Sequence, residues 1–364
     1  MASSLLWFQL AGMALIILFA SKYLVRSADI IAVETGMGRS FVGVLLLATA
    51  TSLPELATGV SSIILLGEPD LAAGDAFGSN LFNLLIIGIL DLIWKNGPIL
   101  GAVGRAPILV AFSGAAIIGV ATLALLVYWS GIFAINTYVS PMSVLLILVF
   151  LLIMYMIFQS EKNSDEVSSD TQQSDVPVSS GLSKASMLYA FSAGVMVLAS
   201  IFLARTGDSI AVAMDWHASF VGTQFLAFST SLPELATSFA AVRIGAPELA
   251  ISNVLGSNVF NMGFVLFMDE LAYTAGPIWS GISPVHMVAG TIAILMTLVV
   301  IGGIFTSLRK QSDAGVSVDL PTGRTWTLES ITLILLYIIS SLSLIHISEP
   351  TRRYAISYAV FCLK

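Results

Sequence analysis

An eight-residue string occurs twice in this chain: Thr51-Ser-Leu-Pro-Glu-Leu-Ala-Thr58 returns letter for letter as Thr230-Ser-Leu-Pro-Glu-Leu-Ala-Thr237. Each copy lies in an apolar stretch and sets one carboxylate, Glu55 or Glu234, next to a proline that removes a helical hydrogen bond. In a lipid-embedded segment, loosened backbone and a carboxylate are tolerated only where they line a cavity, so a doubled acidic break predicts a cation site. Internal repetition of this kind is the architecture of secondary transporters.

Composition places the chain in a membrane. Of its 364 residues 57% are hydrophobic and 10% charged, with a mean hydropathy of +0.94, far outside the range of soluble domains. The net charge of −7 includes no basic arm, so no nucleic-acid partner is expected. Met1 to Leu10 lacks the basic start of a cleavable signal peptide. The one cysteine, Cys362, permits no internal disulfide. Apolar windows near 5–24, 41–62, 71–92, 107–128, 139–158, 186–206, 219–241, 247–268, 284–306 and 328–345 predict an all-α polytopic membrane protein of ten transmembrane helices. Between the fifth and sixth windows, residues 159–184 are rich in Ser, Asp, Gln and Glu and read as a flexible linker.

The duplication extends beyond the octapeptide. Arg26-Ser-Ala-Asp29 is answered by Arg205-Thr-Gly-Asp208 at the octapeptide's own offset of 179 residues, and Gly78-Ser-Asn-Leu-Phe-Asn83 by Gly256-Ser-Asn-Val-Phe-Asn261 at 178. Two five-helix repeats follow, 1–158 and 185–341. Because five is odd, the second must enter the membrane inverted. With the N-terminus outside, the cytoplasmic segments hold Lys22, Arg26, Arg39, Lys95, Arg105, Lys162, Lys184, Arg243, Arg309, Lys310 and Arg324, and the external ones only Arg205. That asymmetry obeys the positive-inside rule and makes the linker cytoplasmic.

Pro54 has no N–H for the carbonyl of Ala50, and Pro233 none for Ser229, so each helix loosens one turn before its proline. Thr51 and Ser52 precede Glu55 by four and three residues, as Thr230 and Ser231 precede Glu234, which puts hydroxyls and carboxylate on one face. Ser79 with Asn83, and Ser257 with Asn261, add further oxygens at i, i+4. Carboxylate, hydroxyl, amide and carbonyl oxygens suit Ca²⁺ or Na⁺ and no soft metal. Two carboxylates supply a charge that one Ca²⁺, or about two to three Na⁺, would balance, so the ions should compete. Asn80 and Asn258 are either ligands or residues that orient them. Asp75, aligned with Asn253, and Asp29, aligned with Asp208, are either functional or helix-end and interfacial residues. Gly74, Gly78 and Gly256 are either functional or allow close helix packing. His217 and His286 fall near span ends and are expected to be solvated. An intramembrane hydrolase would need an H-E-x-x-H or an equivalent base and nucleophile, absent here. A channel would present rings of ligands across subunits rather than an inverted pair within one chain.

The paired G-x-x-x-x-A-x-x-T-S-L-P-E-L and G-S-N-x-F-N motifs resemble the α-repeats of the sodium/calcium exchanger family, within the cation/Ca²⁺ exchanger superfamily, over nearly all of residues 1–341. The resemblance implies a ten-helix antiporter exporting Ca²⁺ against Na⁺ by alternating access, with no resident cofactor, acting as a monomer in a prokaryotic plasma membrane. Its first and sixth helices would slide across a rigid core of eight. The implied metal ligands are Ala48 (through its carbonyl), Thr51, Ser52, Glu55, Ser79 and Asn83, mirrored by Ala227, Thr230, Ser231, Glu234, Ser257 and Asn261. Some relatives carry aspartate where Asn261 stands. Its replacement leaves two carboxylates and keeps Ca²⁺/H⁺ or K⁺-dependent exchange open as alternatives. The linker is too short for the Ca²⁺-sensing domains of animal exchangers. Leu342 to Arg352 and Ile356 to Leu363 resemble the translated ends of a sequencing adapter, so 342–364 is expected to be a non-native tail.

Overall fold

The computed structural model describes residues 2–34, 49–131, 137–168, 181–314 and 327–348. In chain order its helices are α1 (Ala2–Glu34), α2 (Leu53–Leu66), α3 (Pro69–Ile93), α4 (Ala106–Trp129), α5 (Pro141–Ser168), α6 (Gly181–Met214), α7 (Ala218–Thr230), α8 (Leu232–Arg243), α9 (Pro247–Ala272), α10 (His286–Ala314) and α11 (Leu328–Ser348). Among the described residues there is no strand. Among the described residues eight helices are long and apolar enough to cross a membrane, and α7 with α8, bent by 42°, can make a ninth. The remaining expected span, 41–62, is described only from residue 49 onward and appears as the shorter helix α2. The chain is therefore an all-α polytopic membrane protein. Prolines in the first turn of α3, α4 and α9 set their starts, at positions where a missing N–H costs nothing.

Burial sorts the helices into a centre and a rim. The apolar window of α3 is 78% buried and that of α9 72%, against 28% for α1 and α5 and 22% for α11. The rim turns Leu5, Phe8, Phe19, Leu148, Leu151 and Phe191 outward, an apolar surface that only lipid accommodates. The two most buried helices are thus those carrying the Gly-Ser-Asn motifs.

Helices α1 and α6, at 33 and 34 residues, outrun their expected windows. At 1.5 Å per residue each is about 50 Å long, well beyond a hydrocarbon core of about 30 Å, so each tilts, continues past the lipid, or both. Leu10, Ile17 and Leu24 of α1 share an apolar cluster with Met196, Leu203 and Ile210 of α6. The main core is a second cluster, built chiefly by α3, α4, α5, α9, α10 and α11, with Ile63 of α2 and Ala241 and Val242 of α8.

Both ends of the expected linker are helical, since α5 continues to Ser168 and α6 begins at Gly181; residues 169–180 lie outside the described residues. Helix α11 runs through Ser348, and residues 349–364 again lie outside.

Two π-helical turns account for the changing repeat offset. The extra residue of the first half is carried by the five-residue turn Ser62–Leu66 that closes α2, where α8 ends as plain α-helix. A second turn, Asn261–Val265, restores the offset of 179: Gly97-Pro98 and Gly276-Pro277 fall at that spacing, both glycines with positive φ (88° and 128°). Asp91 accepts the Ile99 N–H at 2.7 Å, and Glu270, one full offset later, accepts the Ile278 N–H at 3.0 Å. A π turn inserts one residue and rotates everything after it.

Candidate cation site

The helices break at Ser52 and Ser231, whose backbones take nearly the same conformation (φ −89°, ψ 8° and φ −86°, ψ 9°). Fresh helices begin at Leu53 and Leu232, each with proline second and glutamate in the first turn, where the helix dipole favours a negative charge. Across the middle, Thr51 Oγ1 lies 3.4 Å from Ser257 Oγ, and Thr230 Oγ1 lies 3.4 Å from Ser79 Oγ. These two contacts interchange when the repeats are exchanged, as a two-fold relation requires. The Ser231 hydroxyl donates to Glu55 Oε1 at 3.1 Å, and the Ser257 hydroxyl to Glu234 Oε1 at 3.2 Å.

Thr51, Ser52, Glu55, Ser79, Asn83, Thr230, Ser231, Glu234, Ser257 and Asn261 are each at most 1% exposed. Hydrogen bonds tie Thr51 to Ser257, Ser79 to Thr230 and Ser231 to Glu55, so residues far apart in the chain meet at the two breaks. Ala227 is buried beside them, its carbonyl accepting the Ser231 N–H at 3.0 Å and lying 3.3 Å from the Thr230 hydroxyl. Ala48 lies outside the described residues. Asn83 donates to Asn258 Oδ1 at 2.9 Å, and Asn258 in turn donates to the Asn80 carbonyl at 3.3 Å, which makes Asn258 an orienting residue.

What the arrangement leaves over decides its chemistry. Glu55 Oε2, Glu234 Oε2, Ser52 Oγ, Asn83 Oδ1 and both polar atoms of the Asn261 amide are buried without a protein partner. Each orphaned group costs about 1–3 kcal/mol and an unpaired carboxylate more, a cost that a hard cation coordinated by these oxygens would remove. Among the described residues no three His, Cys, Asp or Glu side chains converge to hold a metal ion. A cation here would rest on the carboxylates filled out by hydroxyl and amide oxygens.

Besides the two glutamates, four acids are buried: Asp75, Asp91, Asp269 and Glu270. Asp75 is neither helix-end nor interfacial: it is 1% exposed and accepts the Thr230 hydroxyl at 2.8 Å. Its signal was legible, because Asp75, Ser79 and Asn83 follow at spacings of four along one face of α3. Asp269 is fully buried with both oxygens unpartnered, and it packs on Gly59, where a Cβ would come within 2.6 Å of Oδ1. Its alignment with Asp91 at an offset of 178 suggests a loop-capping role, but the π turn gives that role to Glu270.

His286 also departs from expectation. It is buried, with Nε2 3.4 Å from Asp70 Oδ1 and its ring stacked on Phe77 at 5.8 Å. Beside Asp70, in the turn between α2 and α3, partial burial and then the charges of Asp208 and Asp70 hold Glu68 above the ordinary carboxylate range. Gly74 and Gly78 serve close packing: a Cβ would stand 2.9 Å from the Ser219 carbonyl oxygen and 2.5 Å from that of Thr223. Among the described residues nothing lies within 4 Å of a Cβ at Gly256.

The profile of the family described as sodium/calcium exchanger protein matches residues 5–159 and 184–345, that is, both halves. The inner membrane protein YrbG of Escherichia coli (strain K12) is 26% identical over 274 residues, covering 71% of this chain and 77% of the relative. The sodium/calcium exchanger MaX1 of Methanosarcina acetivorans is 26% identical over 290 residues, covering 70% and 79%. Among solved structures, the sodium-calcium exchanger NCX_Mj soaked with 2.5 mM Na⁺ and 10 mM Sr²⁺ superposes with a TM-score of 0.57 over 93% of this chain and 98% of its own. At 19% identity that is a likeness of fold.

Proposed function

We propose, given that this chain belongs to the sodium/calcium exchanger protein family, that it is a secondary antiporter exchanging Ca²⁺ for Na⁺, with both ions held in turn between the two proline breaks. The observation that carries this reading is the orphaned oxygen set, from the glutamates of both repeats and the serine and asparagines beside them, buried at the centre of a membrane protein. The implied ligands are Thr51, Ser52, Glu55, Ser79, Asn83 and their mirror set Ala227, Thr230, Ser231, Glu234, Ser257 and Asn261, with Ala48 as the counterpart of Ala227.

The division of the apolar packing supports alternating access. Helices α1 and α6 pack on each other in a cluster apart from the main core that also takes in Leu71 of α3 and Val221 and Leu226 of α7, a smaller contact along which the pair can shift. In this reading the two repeats are inverted five-helix units, the N-terminus is external and the linker 159–184 is cytoplasmic. YrbG's description as an inner membrane protein supports placement in a prokaryotic plasma membrane. One chain contains both halves of the site, so a monomer suffices.

The test is ⁴⁵Ca²⁺ flux in proteoliposomes with Na⁺, K⁺ and H⁺ gradients imposed singly. A Na⁺ gradient alone should drive Ca²⁺ uphill. Uphill movement with H⁺ alone, or only when K⁺ accompanies Na⁺, would replace Na⁺ as the sole coupling ion, and downhill leakage under every gradient would mark a channel.

A further inference from the structure

We infer that Asp269 and the hydroxyls of Thr58 and Ser62 form a second cation site, apart from the one between the proline breaks, and that its ligand is a monovalent cation, Na⁺ or K⁺.

Asp269 lies near the end of α9, fully buried, with neither carboxylate oxygen partnered by the protein. It rests against α2 at Gly59, where an added Cβ would stand 2.6 Å from Oδ1 and 2.8 Å from Oδ2, so only glycine admits the carboxylate so close to this helix. Ser62 follows Gly59 by three residues and Thr58 by four, so all three border one patch of α2. Thr58 and Ser62 are fully buried, and neither hydroxyl has a protein partner. Two carboxylate oxygens and two hydroxyls thus share one patch with no protein group to satisfy them. Such a set is costly in an apolar interior unless a hard cation completes it.

The other half of the chain shows that the fold does not demand this arrangement. At the offset of 179 that holds for α2 and, past the Asn261–Val265 turn, for the end of α9, Asp269 corresponds to Leu90, Gly59 to Ser238 and Ser62 to Ala241. Leu90 and Ala241 are buried apolar residues, and the Ser238 hydroxyl donates to the Ala250 carbonyl at 3.4 Å. Thr237, the counterpart of Thr58, gives its hydroxyl to the Pro233 carbonyl at 2.8 Å. One half therefore closes this place with apolar groups and internal hydrogen bonds, and the other sets unpartnered oxygens, and the space for them, at the same positions.

The single carboxylate fixes the charge of the ligand. Asp269 alone neutralises one monovalent cation, whereas Ca²⁺ would leave a positive charge among apolar neighbours. Gly59 follows Glu55 by one helical turn, so the ion would lie further along α2 than the exchange site and use none of that site's ligands.

Crystals of the full chain soaked in Rb⁺, an anomalous scatterer that stands in for K⁺, test the assignment. The expected result is a peak within coordination distance of Asp269 and of the Thr58 or Ser62 hydroxyl, with no Sr²⁺ peak at the same place. Adding Na⁺ then separates the two ions: a Rb⁺ peak that an equal concentration of Na⁺ erases marks a Na⁺ site, and one that survives marks a K⁺ site. In solution, ⁸⁶Rb⁺ or ²²Na⁺ binding under saturating Ca²⁺ should count one ion per chain, and its affinity should fall about tenfold or more in Asp269→Leu, which installs the residue of the other half. No monovalent peak at Asp269, a Sr²⁺ peak there, or wild-type monovalent binding in Asp269→Leu would overturn the proposal. Should Asp269→Leu not fold, the wild-type crystal decides by itself. Absence of Ca²⁺ from the space between Glu55 and Glu234 is a different failure, which defeats the exchange reading and leaves the Rb⁺ peak at Asp269 as the test of this one.

Discussion

Glu234→Gln removes one carboxylate charge from the site and little else. The glutamine oxygen can still accept the Ser257 hydroxyl that lies 3.2 Å from Glu234 Oε1, and the volume is conserved. A unit charge about 3 Å from a divalent ion is worth about 11 kcal/mol at an effective dielectric of about 20. Much of that is offset by the several kcal/mol of desolvation no longer spent on a buried carboxylate, leaving the roughly 3–5 kcal/mol typical of breaking a buried ion pair. Ca²⁺ affinity should therefore fall about 10²- to 10⁴-fold. For Na⁺ the same substitution removes half the Coulomb energy per ion, so Na⁺ binding should weaken less and the Ca²⁺/Na⁺ preference should drop. Equilibrium ⁴⁵Ca²⁺ binding to purified protein, competed with Na⁺, measures both. A Glu234→Gln protein whose Ca²⁺ affinity stays within threefold of wild type would refute the reasoning, because the ion would then have to be held elsewhere.

Other perturbations probe different parts of the account. Pro233→Ala returns an N–H to the Ser229 carbonyl and should reduce the 42° bend between α7 and α8, so transport should fall at least tenfold while thermal stability holds or rises, as flux and melting assays on one preparation would show. Gly78→Ala, whose Cβ would stand 2.5 Å from the Thr223 carbonyl oxygen, should cost about 1–3 kcal/mol, whereas Gly12→Ala, with nothing within 4 Å, should be neutral or slightly stabilising in the same unfolding assay. Glu68 is held above its ordinary value, so the folded state prefers it protonated; that preference is fully present at acid pH and is lost as pH rises through the folded value. Glu68→Gln should thus raise the melting temperature slightly at pH 7 and leave it unchanged near pH 4, and the opposite order would contradict the effect of its partial burial and of the nearby Asp208 and Asp70 charges.

The duplicated octapeptide and the Gly-Ser-Asn motifs made much of this arrangement legible before any coordinates, because helical spacing alone aligns Thr51, Ser52 and Glu55, and likewise Ser79 and Asn83. The contacts of Thr51 with Ser257 and of Ser79 with Thr230 fit the symmetry that the repeats implied. Asp75 stayed open between a functional and a helix-end role, because its spacing to Ser79 on α3 has no counterpart at Asn253. Asp269 was not readable, since nothing in Asn261 to Val265 announces a π turn, and the one-residue rotation decides which of two adjacent acids caps the following loop. The burial of His286 depends on Phe77 and Asp70, both on α3 and remote in sequence, which no pattern local to residue 286 could show. Helix ends were least legible: hydropathy marks where lipid begins, while α1, α5 and α6 continue beyond it.

The central claim is that one ion site lies between the two proline breaks. Anomalous diffraction from crystals soaked in Sr²⁺, a heavier stand-in for Ca²⁺, tests it directly. The account predicts a peak between the carboxylates of Glu55 and Glu234, within coordination distance of hydroxyls from Thr51 or Thr230, that disappears as Na⁺ is raised. A peak away from both glutamates, or one that Na⁺ does not displace, would contradict it.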